Sequence, residues 1–261
     1  MKRLSLILIV CTLLFGSFTL MRPAGTQLNT IVIDAGHGGK DPGCNGHLNN
    51  EKQVTLEIAL KLGKLLEDSM QDLNVVYTRK TDKFIELSQR SKIANDAKAD
   101  LFMSIHCNAN NSHTPHGTET YVMGLHKSEG NLAVSKRENK SILLEDDYKD
   151  NKDYGGFDPN SPIAHIIFSL MQHAYMAQSL EVAAKVEKQF KERQKLKSRG
   201  VKQAGFLVLW KTSMPSVLVE TGFLTNEQDR KYLESDSGRA EVSLSLFKAI
   251  KEHKESLRKL D

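Results

Sequence analysis

Three times this chain runs through an apolar stretch and stops on an ionisable side chain. The segments are Ile31-Val32-Ile33-Asp34-Ala35-Gly36-His37, Leu101-Phe102-Met103-Ser104-Ile105-His106 and Val217-Leu218-Val219-Glu220. Each apolar run reads as a short buried strand. The glycines around His37 let the backbone turn sharply and leave room beside one polar side chain. Between the first two runs, Asn50 caps a helix with Gln53 three residues on, and Val54, Ile58, Leu62, Leu65 and Leu66 recur at helical spacing. Glu51 therefore falls in the first turn, at the same end of the unit as His37. Leu73 to Thr78 reads as a strand, Ile85 to Ala97 as a helix and Gly117 to Met123 as a further strand. This alternation predicts an α/β fold: a single domain with a twisted, mostly parallel central sheet flanked by helices. In such sheets ligands bind beyond the carboxyl ends of the strands, so topology alone brings His37 and His106 to one site.

From Gly124 to about Gln178 the rhythm breaks. A polar stretch carries the cluster Ile142-Leu143-Leu144-Glu145-Asp146-Asp147, and a loop rich in Gly, Asp and Asn follows from Tyr148 to Pro162. Ile163, Ile166, Ile167, Leu170, Ala174 and Ala177 then mark one helix face, continued by Val182, Val186 and Phe190 to Lys197. Residues 124–178 are read as a helical and loop insertion beside the sheet. The sheet is expected to resume with Phe206 to Trp210 and Ser216 to Glu220, and Val242, Leu246, Ile250, His253 and Leu257 define a last helix.

The start of the chain is of another kind. Lys2 and Arg3 precede an almost unbroken apolar run from Leu4 to Met21, with no acidic residue before Asp34. That layout predicts an export signal over residues 1–24, with an uncleaved membrane anchor as the alternative. Export places the protein in the periplasm first, with an extracellular or membrane-anchored form as the other options. Of the 36 basic residues, Lys2, Arg3 and Arg22 lie in this segment, which leaves 33 against 32 acidic ones. A nearly neutral chain lacks the clustered basic face of a nucleic-acid binder. Its 39% hydrophobic and 26% charged residues are those of a globular protein with a core.

Three strand ends and one helix start thus present His37, Glu51, His106 and Glu220. Two imidazoles and a carboxylate match the ligand set of a catalytic zinc with an open fourth position, and a second carboxylate would serve as base and acid. Packing and capping roles for the four remain the alternative at this point, because their spacing is too long for a local metal motif. Cys44 and Cys107 could form one disulfide, but Cys107, next to His106 on a strand, should face the other side of the sheet as a small buried residue. Asn108, just beyond His106, is the best secondary candidate. His47 is a weaker one, and His113 and His116 flank a turn near the site.

Taken together, the segments Ile31 to Gly43 (IVIDAGHGGKDPG), Asn50 to Lys52 (NEK), Arg79 with Asp82, Leu87 and Arg90, Ala99 to Ala109 (ADLFMSIHCNA) and Val217 to Asn226 (VLVETGFLTN) occur in an order that resembles a known family. They look like the exported zinc-dependent N-acetylmuramoyl-L-alanine amidases of bacterial cell walls, of the type active in cell separation. The resemblance runs from Thr30 to about Lys259 and implies a catalytic domain over residues 28–259. It implies that His37, Glu51 and His106 hold one zinc per chain and that Glu220 is the catalytic carboxylate; Asn108, from its place after His106, is a candidate substrate contact. The implied substrate is peptidoglycan, cut at the amide between N-acetylmuramic acid and L-alanine. Some relatives carry an inserted helix that blocks the zinc until an activator protein displaces it, and Glu145, Asp146 and Asp147 are the expected source of a blocking carboxylate here. Two other functions stay open: a catalytically silent wall-binding module, and a zinc peptidase acting within the stem peptide.

Overall fold

The computed structural model describes residues 27–146, 148, 151, 154–158, 161, 163–164, 175–193 and 196–259. The expected signal, Asp147 and most of the helix expected from Ile163 to Ala177 lie outside them. Six strands form one sheet: β1 (Thr30–Ala35), β2 (Asn74–Tyr77), β3 (Leu101–Asn108), β4 (Thr118–Met123), β5 (Ser198–Ala204) and β6 (Ser216–Phe223), in the order β2-β1-β3-β6-β4-β5. Strands β2, β1, β3 and β6 are parallel, β4 pairs antiparallel with β6, and β5 follows β4 in parallel. The amino end of β4 therefore meets the carboxyl end of β6, with Glu119 beside Glu220.

The helices are α1 (Glu51–Ser69), α2 (Leu87–Asp96), α3 (Glu129–Asn139), α4 (Met176–Arg193), the short α5 (Leu207–Trp210), α6 (Glu227–Leu233) and α7 (Asp236–Arg258). Side chains alternate across the sheet. Ile31, Ile33, Leu101, Met103, Ile105, Val217 and Val219 face a core closed by α1, α4 and α7. Val32, Phe102 and Leu218 face the other side, where Tyr121, Phe206 and Leu209 pack. On this second face the carboxyl halves of the strands turn polar: Asp34 lies beside Ser104, and His106 beside Glu220. The chemistry sits on one face because four inward positions share one parity.

One sequence expectation fails here, and two elements went unread. Residues 207–210 form a helical turn instead of a strand, and the strand is Ser198–Ala204. The apolar run Phe206 to Leu209 is buried as a plug over the second face. The true edge strand, SRGVKQA, is mostly half-buried and polar, so it lacks the apolar alternation that marks a strand. Helix α3 also went unread, because its buried face carries Asn131, Ser135, Glu138 and Asn139 as well as Val134. Among the described residues, no helix is long and apolar enough to cross a membrane.

Beneath the site, Asp34 accepts hydrogen bonds from Thr78 Oγ1 (2.6 Å), Ser104 Oγ (2.6 Å) and Arg90 Nη1 (2.8 Å). Burial penalises the charge on Asp34, but Arg90 and the two hydroxyls outweigh it and keep the carboxyl below its usual pKa. Arg90→Met would strand that carboxylate without its cation. The expected cost is about 3–5 kcal/mol of stability, against little change for Lys92→Met in the exposed Lys92–Asp96 pair. Urea unfolding of both variants beside the parent checks the contrast.

Candidate metal centre

His37 stands in the turn that leaves β1, at a φ of 60° that is uncommon for a residue with a side chain. The strain is held by buried arginines. Arg90 Nη2 donates to His37 O (2.8 Å), and Arg79 donates through Nε to Ala35 O (2.9 Å) and through Nη2 to Gly36 O (2.8 Å). Reciprocal backbone bonds between Gly38 and Asp41 close the turn and bring Asp41 Oδ2 to 2.8 Å from His37 Nδ1. That carboxylate fixes the ring with Nε2 facing inward, where the neutral ring would offer its lone pair.

Glu51 is the first residue of α1, whose Asn50 N donates to Gln53 Oε1 (2.9 Å) as the capping box expects. Its own carboxylate accepts from Cys107 N (2.8 Å) and Cys44 N (2.9 Å). His106, on β3, meets His37 edge-on with ring centroids 4.8 Å apart. Gly36 and Gly43 make the room. A Cβ on Gly36 would lie 2.5 Å from the His106 ring, and one on Gly43 would lie 2.6 Å from Glu51 Oε2.

A fourth donor completes the set, and it is Glu138, from the last turn of α3. Glu51 Oε1 lies 3.1 Å from both His37 Nε2 and His106 Nδ1. Glu138 Oε2 lies 3.2 Å from His37 Nε2 and 3.1 Å from His106 Nδ1. A tetrahedral zinc with bonds of about 2.0–2.1 Å separates its ligands by about 3.3 Å. The four buried donors therefore frame a space of the right size, and neither His37 Nε2 nor Glu138 Oε2 makes a hydrogen bond. Without a cation, the charges are met by protons. Burial opposes ionisation of both imidazoles, yet Glu51, Asp41 and Glu138 raise His37 well above its usual pKa, and Glu138 with Glu51 raises His106 to about 9. Burial likewise opposes the charge on Glu51 and Glu138; His37 outweighs it for Glu51, and Arg137 with His106 for Glu138, so both carboxyls stay low. A metal taking this place would release protons from the imidazoles.

Glu220 lies on β6 beside His106, fully buried. Burial, then the charge of Glu138, raises its pKa well above the carboxylate range, although Arg137 Nη2 sits 3.3 Å from Oε1. Burial and the neighbouring carboxylate thus favour the protonated form of Glu220 while Glu138 lies beside it. Asn108 stands apart from the donors; its Oδ1 accepts from Arg137 Nη1 (3.0 Å) and its Nδ2 donates to Glu119 (3.0 Å).

Of the acidic cluster expected to face the metal, Glu145 and Asp146 do not do so. Glu145 accepts from Leu87 N (2.8 Å) and Tyr154 OH (2.6 Å), which anchors the insertion to α2, and Asp146 is exposed and paired with Lys40. Asp147 is outside the described residues. The available signal for Glu138 was the Ser128 N-cap, which accepts from Asn131 N (3.2 Å) and starts a helix of ten-odd residues ending at Arg137-Glu138-Asn139. His113 and His116 bond to the backbone oxygens of Thr225 and Thr114, and His47 is exposed beside α6; none joins the donor set. Cys44 and Cys107 are free thiols, and Cys107 points to the face away from His106, as parity requires.

The sequence matches the family described as N-acetylmuramoyl-L-alanine amidase over residues 31–252. It is 33% identical to the N-acetylmuramoyl-L-alanine amidase AmiC of an Escherichia coli strain across 85% of this chain and 52% of that protein. It is 32% identical to AmiA of Escherichia coli across 84% of this chain and 74% of that one. The chain thus spans about half the length of the first relative and three quarters of the second. In structure it resembles the N-acetylmuramoyl-L-alanine amidase of Clostridium difficile, with a TM-score of 0.64, 26% identity and coverage of 88% and 98% of the two chains.

The glycine cradle gives a direct test. Gly36→Ala pushes a methyl group into the His106 ring and is expected to weaken Zn2+ binding at least tenfold. Gly130→Ala, whose Cβ would meet only Ser128 Oγ at 3.8 Å, should leave it unchanged. Competition with a chromophoric chelator reads both.

Proposed function

The chain belongs to the N-acetylmuramoyl-L-alanine amidase family, and from that premise we propose that it is a zinc-dependent hydrolase of peptidoglycan. The bond cut is the amide between the lactyl group of N-acetylmuramic acid and L-alanine of the stem peptide. The observation that carries this reading is the convergence of His37 Nε2, His106 Nδ1 and Glu51 Oε1 next to the buried carboxyl of Glu220. His37, His106 and Glu51 would hold the zinc. When bound, it supplies a Lewis acid that polarises the carbonyl and acidifies water. Glu220 takes the proton of the attacking water and passes it to the departing L-alanine nitrogen. Asp41 holds His37 in the required tautomer, and the Arg79–Arg90 pair holds the turn that carries it.

The closed arrangement is an autoinhibited one in this reading. Glu138 occupies the fourth corner that water and substrate need, and its neighbour Arg137 ties up Glu220 Oε1, Asn108 Oδ1 and Ala109 O. An activator protein that draws α3 away frees the fourth corner and the Glu220 carboxyl together. The setting is the wall outside the cytoplasmic membrane, in remodelling and daughter-cell separation. The basic and apolar opening of the sequence supports export there.

Purified wall and a zinc assay test the whole reading. Glu220→Gln should keep its zinc and lose activity by about 10²- to 10⁴-fold, and chelation should abolish activity that added Zn2+ restores. The released peptides should begin with L-alanine; cleavage inside the stem would mark a peptidase, and zinc binding without any cleavage by either the parent or Glu138→Ala a silent module. Glu138→Ala should raise basal hydrolysis at least tenfold, whereas Asp146→Ala, at an exposed pair, should leave it as it is. If Glu138→Ala folds, keeps zinc and shows no gain, α3 is not a gate.

A further inference from the structure

A groove of about 510 Å³ is lined by Arg137 and Glu119, the neighbours of Glu220, with α3 as one wall and β4 and β5 as its floor. Its floor is organised by a carboxylate that the mechanism above does not use. Glu119, buried on β4, accepts from Asn108 Nδ2 (3.0 Å), Tyr121 OH (2.7 Å), Arg199 Nε (2.5 Å) and Lys202 Nζ (2.5 Å). One negative charge thus holds two cations. Arg199 also lies over the Phe223 ring at 5.5 Å and Lys202 over Tyr121 at 6.0 Å. The two side chains remain 32% and 22% exposed to the groove. Among the described residues, the Nη groups of Arg199 make no hydrogen bond, and this partly exposed guanidinium lines the groove. The floor therefore carries a surplus positive charge, fixed in place before any ligand arrives.

We propose that Arg199 and Lys202 form a subsite for a carboxylate of the departing stem peptide, with Glu119 as the residue that positions them. The proposal rests on the amidase reading and names the substrate chemistry it would select. While the amide is intact the lactyl carboxyl of the N-acetylated glycan is tied up in it and offers no anion, whereas acidic residues of a peptide do, and an arginine fork matches a carboxylate. Distance points to the same part of the substrate. Glu119 is one strand from Glu220, and Arg199 and Lys202 lie one strand further. Two strand spacings are about 10 Å, and an extended peptide advances about 3.3–3.6 Å per residue. A carboxylate on the second or third residue after the cut amide reaches the pair.

Two synthetic tripeptides beginning with L-alanine, both amidated at the carboxyl terminus, separate the possibilities. One carries carboxylates on residues two and three, the other carboxamides at both. Calorimetric binding to the full protein should favour the acidic peptide by tenfold or more. That preference should vanish in Arg199→Gln/Lys202→Gln and in the same double variant with Glu119→Gln added, which avoids stranding a buried carboxylate. No preference in the parent, or the same preference in the folded variants, overturns the subsite. Binding is read apart from turnover. A protein that cleaves wall without the preference loses only the subsite, and one that shows the preference but cleaves no wall even as Glu138→Ala loses only the amidase reading.

Discussion

Two buried carboxylates, Glu51 and Glu138, point single oxygens at the same two imidazole nitrogens from 3.1–3.2 Å. Like charges in so dry a place are unfavourable unless cations sit between them. Protonated imidazoles can meet that need, and a divalent metal meets it with better geometry. The supporting structure serves this arrangement. Backbone amides of Cys44 and Cys107 hold Glu51, Asp41 holds His37, and Arg79 and Arg90 hold the carbonyls of the turn between them. The arginines in turn need Asp34, so the ionic cluster under the sheet edge and the donor set above it form one connected body of charge.

Parity explains why the sheet can hold this charge and still have a core. Each central strand spends one face on aliphatic packing against α1, α4 and α7. The other face is apolar only along its amino half, at Val32, Phe102 and Leu218. Toward the carboxyl ends the same face carries Asp34, Ser104, His106 and Glu220, each with polar partners or facing the site. A register slip of one residue would exchange His106 with Cys107 and destroy both the core and the donor set. The reversal at β4 adds the last piece. It brings Glu119 next to Glu220 and so places the cations of the β5 edge alongside the reactive end of the sheet.

Much of this was legible in the residues themselves. Apolar runs ending in His37, His106 and Glu220, and a capped helix opening on Glu51, were enough to gather four side chains at one sheet edge. Those signals are local, since each depends on a strand or helix end that periodicity reveals. Glu138 was not legible for the opposite reason. It sits on a helix whose buried face is polar, and what buries it is the site itself. Three consecutive acids at Glu145 to Asp147 drew attention by composition, but Glu145 is bound to Tyr154 OH and Leu87 N and Asp146 faces solvent. Strand β5 escaped for a related reason: an edge strand stabilised by pairing and by ion pairs to Glu119 needs no apolar alternation.

The proposed gate can be weighed in energy. Helix α3 closes the site with adjacent residues that grip different halves of the machinery, Glu138 the donors and Arg137 the carboxyl of Glu220. Because both sit in one helical turn, they leave together, and partial opening that frees one contact strains the other. Moving such an equilibrium from almost wholly closed to almost wholly open takes about 5.5 kcal/mol of differential binding. A single surface ion pair supplies at most about 1 kcal/mol. A protein partner that buries an apolar patch on the insertion can supply the rest, since burial contributes about 25 cal/mol per Å². On the proposed reading the gate would call for a macromolecular activator, and acidic groups of the substrate held at the proposed β5 subsite would not suffice to open it.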